Sequence, residues 1–315
     1  MFNEAEATDH SQREMMHKMI RKTLVSLLVL GAVGRVVWDN IRLTVTRYSL
    51  AFADLPEEFD GFKIVQVSDL HNARFGKDQR KLIAAINSAN PDMIAITGDL
   101  FHTARRENAY SFLEQAARLA PCYYVSGNHE QRFADYFTAI KPQLEALGAC
   151  VLDDERATVT KGGASVSVIG LADPTFHNNM PPELLTEEKL SRLVPKSDVF
   201  TVLLSHRPEL FHVYARNNIS LTLTGHAHGG PLRIPFVNRG LYAVHQGWLP
   251  KYTEGIFVED HTNMSSFCAK NARKETVTLP DDCSVMVVSR SLGNSTYYPK
   301  INDPPELVVV ELRKK

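Results

Sequence analysis

The stretch Phe62-Lys63-Ile64-Val65-Gln66-Val67-Ser68-Asp69-Leu70-His71 runs from an apolar, β-branched segment straight into a carboxylate and an imidazole two residues apart. Residues 62–68 predict a buried strand. Asp69 and His71 then fall on one side of the extended segment that follows it. The same pattern recurs downstream. Met93-Ile94-Ala95-Ile96-Thr97 leads into Gly98-Asp99, and Cys122-Tyr123-Tyr124-Val125 into Gly127-Asn128-His129-Glu130. Residues 199–204 lead into Ser205-His206, and residues 219–224 into Gly225-His226-Ala227-His228. A lone histidine near an apolar strand is ordinarily a satisfied structural residue. Five groups of oxygen and imidazole donors, each at a strand end, point to one convergent site.

Between these strands the apolar spacing changes to that of helices. Residues 77–90 carry Leu82, Ile83, Ile86 and Ala89 at helical intervals, with Pro91 closing the run. Residues 109–119, 136–147 and 184–193 read as further helices. Alternating strands and helices predict βαβ units and an α/β fold. Additional strands are expected at 165–170, 285–289 and 307–312. Two mixed sheets packed face to face with helices outside, a four-layer α/β/β/α sandwich, would bury them all. In such sheets sites form at the carboxyl ends of the strands, where loops vary without disturbing the core.

The 315 residues suffice for one large domain, and no composition shift argues for two. Residues 41–315 are read as that domain, with 259–282, polar and aperiodic, as a surface insertion. Lys+Arg 35 against Asp+Glu 36 leaves a net charge of −1, so no global basic field attracts nucleic acid. The cysteines show no Cys-x-x-Cys spacing. Cys122 and Cys150 abut apolar runs and are expected to be buried, whereas Cys268 and Cys283, in a polar stretch, are candidates for pairing in an oxidising compartment.

Residues 1–40 are polar, then basic at Lys18, Arg21 and Lys22, then apolar from Leu24 to Gly34, continuing past Arg35 through Val36-Val37-Trp38. Three readings stay open. An uncleaved signal-anchor is preferred because the basic flank precedes the apolar run and would stay cytoplasmic. A cleaved signal peptide is next, since Ala32-Val33-Gly34 offers small residues for a peptidase. A buried or interfacial helix is third. The first two place the folded domain outside the cytoplasm, attached to or exported across the cell membrane.

The donor types suggest a chemistry. A carboxylate such as Asp99, ending a central strand, can bridge two cations, and Asn128 can supply a neutral carbonyl. His226 and His228 can contact different metals. Mixed oxygen and imidazole donors favour Mn, Fe or Zn over calcium. His102, His177, His212 and His245 lack a partner motif and are expected at the surface or behind the ligands.

In these residues the sequence resembles the calcineurin-like metallophosphoesterase family, whose pattern is Asp-x-His, Gly-Asp, Gly-Asn-His-Asp/Glu, a lone His, then Gly-His-x-His. All five blocks occur in order between Lys63 and His228. Residues 68–72, 246–252, 288–293 and 305–307 further resemble the family's bacterial membrane-associated phosphodiesterase branch, with Ser291 departing from the usual Gly and 259–282 longer than usual. The resemblance implies two divalent metal ions. Asp69, His71, Asp99 and His228 would hold one, and Asp99, Asn128, His206 and His226 the other. It also implies a metal-bridging hydroxide as nucleophile and His129 as general acid. Arg74 is a candidate contact for the substrate phosphate. The expected activity is hydrolysis of a phosphodiester or pyrophosphate, with a lipid-linked or envelope substrate suggested by the N-terminal apolar run. A protein or small-molecule phosphomonoesterase and a non-catalytic metal-binding scaffold are the alternatives.

Overall fold

The computed structural model describes residues 3–102, 105–176, 180–230, 233, 240–268, 275–294 and 300–315. In chain order its elements begin with α1 (Asn3–Ile41), β1 (Thr44–Phe52), β2 (Lys63–Val67), α2 (Arg80–Ala89), β3 (Met93–Thr97), α3 (Glu107–Ala116), β4 (Cys122–Val125), α4 (Lys141–Ala146) and β5 (Ala149–Val151). They continue with β6 (Glu155–Lys161), β7 (Ala164–Gly170), α5 (Pro182–Leu193), β8 (Thr201–Leu204), α6 (Phe211–Arg216), β9 (Leu221–Thr224), β10 (Tyr242–Ala243) and β11 (Gly247–Trp248). The last are β12 (Gly255–Asp260), β13 (Ser265–Cys268), β14 (Val277–Thr278), β15 (Cys283–Val288) and β16 (Glu306–Lys314).

Two 7-stranded mixed sheets result, in the orders β14-β1-β16-β2-β3-β4-β5 and β13-β12-β15-β9-β8-β7-β6. Their inner faces pack on each other through Ile64, Ala95, Val308 and Val310 from one and Val202, Leu204, Leu223 and Val285 from the other. The outer face of the first sheet, Val65, Val67, Ile94 and Ile96, is covered by Leu82 and Ile86 of α2 and Phe112 and Leu113 of α3. Ile169, Leu203, Met286 and Val288 of the second meet Leu190 of α5 and Phe211 and Tyr214 of α6. Central strands therefore lose the polar alternation of a half-exposed sheet, because both faces are covered. Near the carboxyl ends, buried Gln66 donates to Thr97 Oγ1 at 3.1 Å and to Thr224 O at 2.8 Å, tying β2 and β3 to the opposite sheet.

Several expectations change. The helix expected over 136–147 is present, but it opens with a wide π-type turn at 136–140, with Ile140 N donating to Asp135 O, and runs directly into α4. Pro142, which lacks an N–H, sits in the first turn of α4, where that donor is not needed. Cys122 is buried, but Cys150 is exposed, because it occupies the outward position of the alternating strand β5. Strand register rules out the Cys268–Cys283 pairing. Cys268 faces Phe257 and Cys283 faces Asp260, on opposite flanks of β12. Two strand spacings and three residues of offset separate their Cα atoms by about 14 Å, twice the reach of a disulfide. Within 259–282 the structure places the exposed β13 on the second sheet and β14 on the edge of the first.

Helix α1 contains one stretch, Arg13–Ile41, long and apolar enough to cross a membrane by length and composition. It stands almost wholly exposed until its last turn. There Asp39 is buried, accepting from Arg35 Nε and Asn302 N, while Asn40 Nδ2 donates to Lys300 O at 2.8 Å and its Oδ1 accepts from Lys300 N and Asn294 Nδ2. The helix end is thus fixed to the folded domain.

Candidate metal centre

Asp69 and His71 follow β2, Asp99 follows β3, and Asn128 and His129 follow β4, all at the carboxyl edge of the first sheet. His206 follows β8, and His226 and His228 follow β9, at the same edge of the second. Face-to-face packing brings the two edges together. Each of these eight residues is 7% or less exposed. Asp69, His71, Asp99, His226 and His228 have positive φ angles of 48° to 65°. Non-glycine residues in that region cost on the order of 1–3 kcal/mol each, and such strain gathers at functional sites.

The side chains form two groups whose donor atoms lie within 4.8 Å of one another: Asp69, His71, Asp99 and His228, and Asp99, His206 and His226. Asp99 belongs to both. Its Oδ2 lies 3.2 Å from His206 Nε2, 3.7 Å from His71 Nε2 and 3.9 Å from His129 Nε2. Its Oδ1 accepts from His129 N at 2.8 Å. Asp69 Oδ1 is 3.2 Å from His228 Nε2, and His71 Nε2 and His228 Nε2 are 3.2 Å apart. His71 Nδ1 faces Phe101 O at 3.3 Å and His206 Nδ1 faces Thr97 O at 2.8 Å. Those carbonyls take the Nδ1 protons, so both rings turn Nε2 toward the carboxylates.

Electrostatics follow from burial and proximity. Burial raises the Asp69 carboxyl, but His228 and His206 outweigh it and bring it down to about 2. Asp99 is likewise held well below the carboxylate range, against burial, by His206 and His71. Burial lowers His71 to about 3 and also lowers His226 and His129. His206 goes the other way: against burial, Asp99 and Asp69 raise it to about 10. Two acids and several imidazoles so close together are a donor set awaiting positive charge. Asn128 supplies independent support for a cation, since its Oδ1 is buried with no hydrogen-bond partner among the described residues. A buried amide oxygen left so is costly unless something else engages it. The residues present therefore fit a pair of divalent cations.

Two motif glycines are explained by crowding. A Cβ on Gly127 would strike the Asp99 carboxylate and lie 2.6 Å from Asp99 N, and one on Gly225 would strike Ser68 Oγ and the Asp69 carboxylate. Only glycine lets these loops pass so close to the acids.

Of the other candidates, Arg74 is exposed and its Nε donates to Gly76 O at 3.2 Å. His212 is exposed, and His177 lies outside the described residues. His102 and His245 are nearer than their isolation in sequence suggests. The His102 ring is 5.1 Å from that of His129, and His245 Nδ1 is 2.7 Å from His226 Nε2. His245 sits in the turn between β10 and β11, beside the buried Arg207, which also pairs with Asp173 and with Glu209 at 3.1 Å. Glu130 is the largest omission. Fully buried, it accepts from Asp99 N at 2.9 Å, Gly127 N at 2.8 Å and Phe101 N at 3.0 Å, clamping two donor loops together. Its place in Gly127-Asn128-His129-Glu130 was the available signal.

Comparison with known proteins agrees with this geometry. The model of the calcineurin-like phosphoesterase family matches residues 62–230. The chain is 29% identical over 232 residues to the metallophosphoesterase YkuE of Bacillus subtilis, covering 70% of this chain and 76% of that protein. It is 29% identical over 223 residues to the phosphodiesterase YaeI of Escherichia coli, covering 68% and 77%. It is 23% identical over 306 residues to the UDP-2,3-diacylglucosamine pyrophosphatase LpxG of Chlamydia muridarum, covering 81% and 86%.

Proposed function

The chain belongs to the calcineurin-like phosphoesterase family, and from that we propose that it hydrolyses a phosphodiester or pyrophosphate bond using two divalent cations held between its sheets. The observation that carries this reading is the sharing of Asp99 by two donor groups. Asp69, His71, Asp99 and His228 would hold one cation, and Asp99, Asn128, His206 and His226 the other. Bound there, Mn, Fe or Zn would supply an acidified water and offset the charge of the phosphoryl group.

The protein's own groups do the rest. Asp99 Oδ1 is tied to His129 N, which leaves Oδ2 directed at both donor groups. His129 Nε2 stands 3.9 Å from that oxygen, beside the donors and belonging to neither proposed set. In this reading it gives a proton to the departing oxygen, a role worth about 10²–10⁴ in rate. A lipid-linked or envelope ester is the substrate class we favour. The apolar helix α1, read as a membrane anchor with the catalytic domain outside the cytoplasm, supports it, as does likeness to a pyrophosphatase named for a diacylated sugar nucleotide.

The test uses the full chain in neutral detergent with added manganese, assayed on a chromogenic diester and on a lipid-linked pyrophosphate. Turnover that disappears in Asn128→Ala is the expected result. A protein with full metal content that hydrolyses no mono-, di- or pyrophosphate ester would overturn the reading.

A further inference from the structure

A polar pocket lies where α1 gives way to β1. Its volume is about 440 Å³, and Arg42, Thr44, Thr46, Arg47 and Arg290 line it. No carboxylate is among the lining residues. The charge of Arg290 is already engaged: it pairs with Glu306 at 3.0 Å and with Glu254 at 3.2 Å. Arg42 and Arg47 are different. Both are exposed, and neither side chain has an ion-pair partner among the described residues. Strand β14 pairs with β1 only at Leu50 and Ala51, so among the described residues the outer edge of β1 beside Thr44 to Arg47 also keeps backbone groups without a strand neighbour.

Position decides what such a pocket meets. The apolar run of α1 ends at the Arg35–Asp39 pair, and the exposed Trp38 lies in the same turn, the residue type that favours the membrane interface. Arg42 follows one helical turn later, about 6 Å along the axis. The headgroup layer is about 5–8 Å thick on each side of the hydrocarbon. Because Asp39 and Asn40 anchor the helix end to Asn294, Lys300 and Asn302, the pocket cannot swing away from that depth.

We propose that this pocket binds the phosphate headgroup of an anionic phospholipid, with Arg42 and Arg47 supplying the charge and Thr44, Thr46 and the open β1 edge bounding the cleft. The proposal rests on the reading of α1 as a membrane helix. A headgroup bound here would set the height and tilt of the catalytic domain over the bilayer.

The experiment titrates the detergent-solubilised full chain with short-chain phosphatidylglycerol, phosphatidylcholine and inorganic phosphate, read by the fluorescence of Trp38 and Trp248. Saturable binding of phosphatidylglycerol is expected, much tighter than that of the other two. Each arginine near an anionic lipid contributes about a fivefold factor, so Arg42→Gln/Arg47→Gln should weaken binding about thirtyfold. Retained turnover of a chromogenic diester shows that the double variant is folded. Equal phosphatidylglycerol affinity in parent and variant overturns the site. Inorganic phosphate or phosphatidylcholine binding as tightly as phosphatidylglycerol overturns the lipid assignment. Resistance of liposome-bound protein to alkaline carbonate tests α1 separately, so loss of the membrane reading is seen apart from loss of the pocket.

Discussion

Replacing Glu130 by Gln is the sharpest test of how the site is held. The side chain keeps its shape, but its two ends cease to be equivalent. Glu130 Oε2 serves the amides of Asp99 and Gly127, and Oε1 serves that of Phe101. A Gln oxygen can replace only one of these; placed at the former Oε2 position it keeps two bonds and turns an NH₂ toward Phe101 N. One buried N–H then loses its acceptor, at about 1–3 kcal/mol, and above pH 8, where the carboxyl is ionised, two bonds to a charged acceptor become neutral, at about 1 kcal/mol each. Against this stands relief: burial and the neighbouring Asp99 push the Glu130 carboxyl up to about 8, opposed by the Phe101 and Gly127 amides. Above pH 8, removing that poorly solvated charge recovers part of the loss, leaving about 2–3 kcal/mol of destabilisation. For a domain of this size that is roughly 5–10 °C in Tm. Because the clamp aims Asp99 and the Asn128 loop, metal affinity should also fall about 10–100-fold. Thermal melts of the metal-free protein and elemental analysis after dialysis against a metal buffer read both. An unchanged Tm with unchanged metal content would refute the clamp, and a lower metal content at constant Tm would assign Glu130 an electrostatic role instead.

Asn128→Ala should leave the metal-free Tm within about 1 °C, because its Oδ1 has no partner to lose, while metal content drops from two ions per chain toward one. His129→Gln should keep the metals and lose about 10²–10⁴ in kcat with an alkyl leaving group but far less with nitrophenolate, which departs without a proton. A uniform loss across leaving groups would contradict the acid role. His206 is raised from 6.5 to about 10, so the stability it contributes to the metal-free protein is complete below 6.5 and is lost as pH rises through 10. Melting temperature should therefore fall between pH 8 and 10, and fall less in His206→Gln. At pH 8, metal loading should release the His206 proton, detectable with an indicator dye. Gly127→Ala should fold poorly or bind no metal, since its methyl group would occupy space taken by the Asp99 carboxylate.

The α/β class and the convergent donors were legible in the sequence, because both are local patterns. An apolar β-branched run, a tight polar turn and an amphipathic helix each reveal themselves within a dozen residues, and Asp69, Asp99 and His206 advertise themselves by following such runs. Position in three dimensions was not legible where it depends on residues far apart. The exposure of Cys150 followed from which strand lies at a sheet edge, and the separation of Cys268 from Cys283 followed from register across β12. His245 reached His226 only because the β10–β11 turn folds back over the second sheet. The bond network of Glu130, the Gln66 tie between sheets and the arginine pocket beside α1 are likewise long-range. The sequence alone determined which chemistry the chain carries. Tertiary packing decided which atoms share it, because hydrogen bonds and buried charges answer to distances that chain order does not encode.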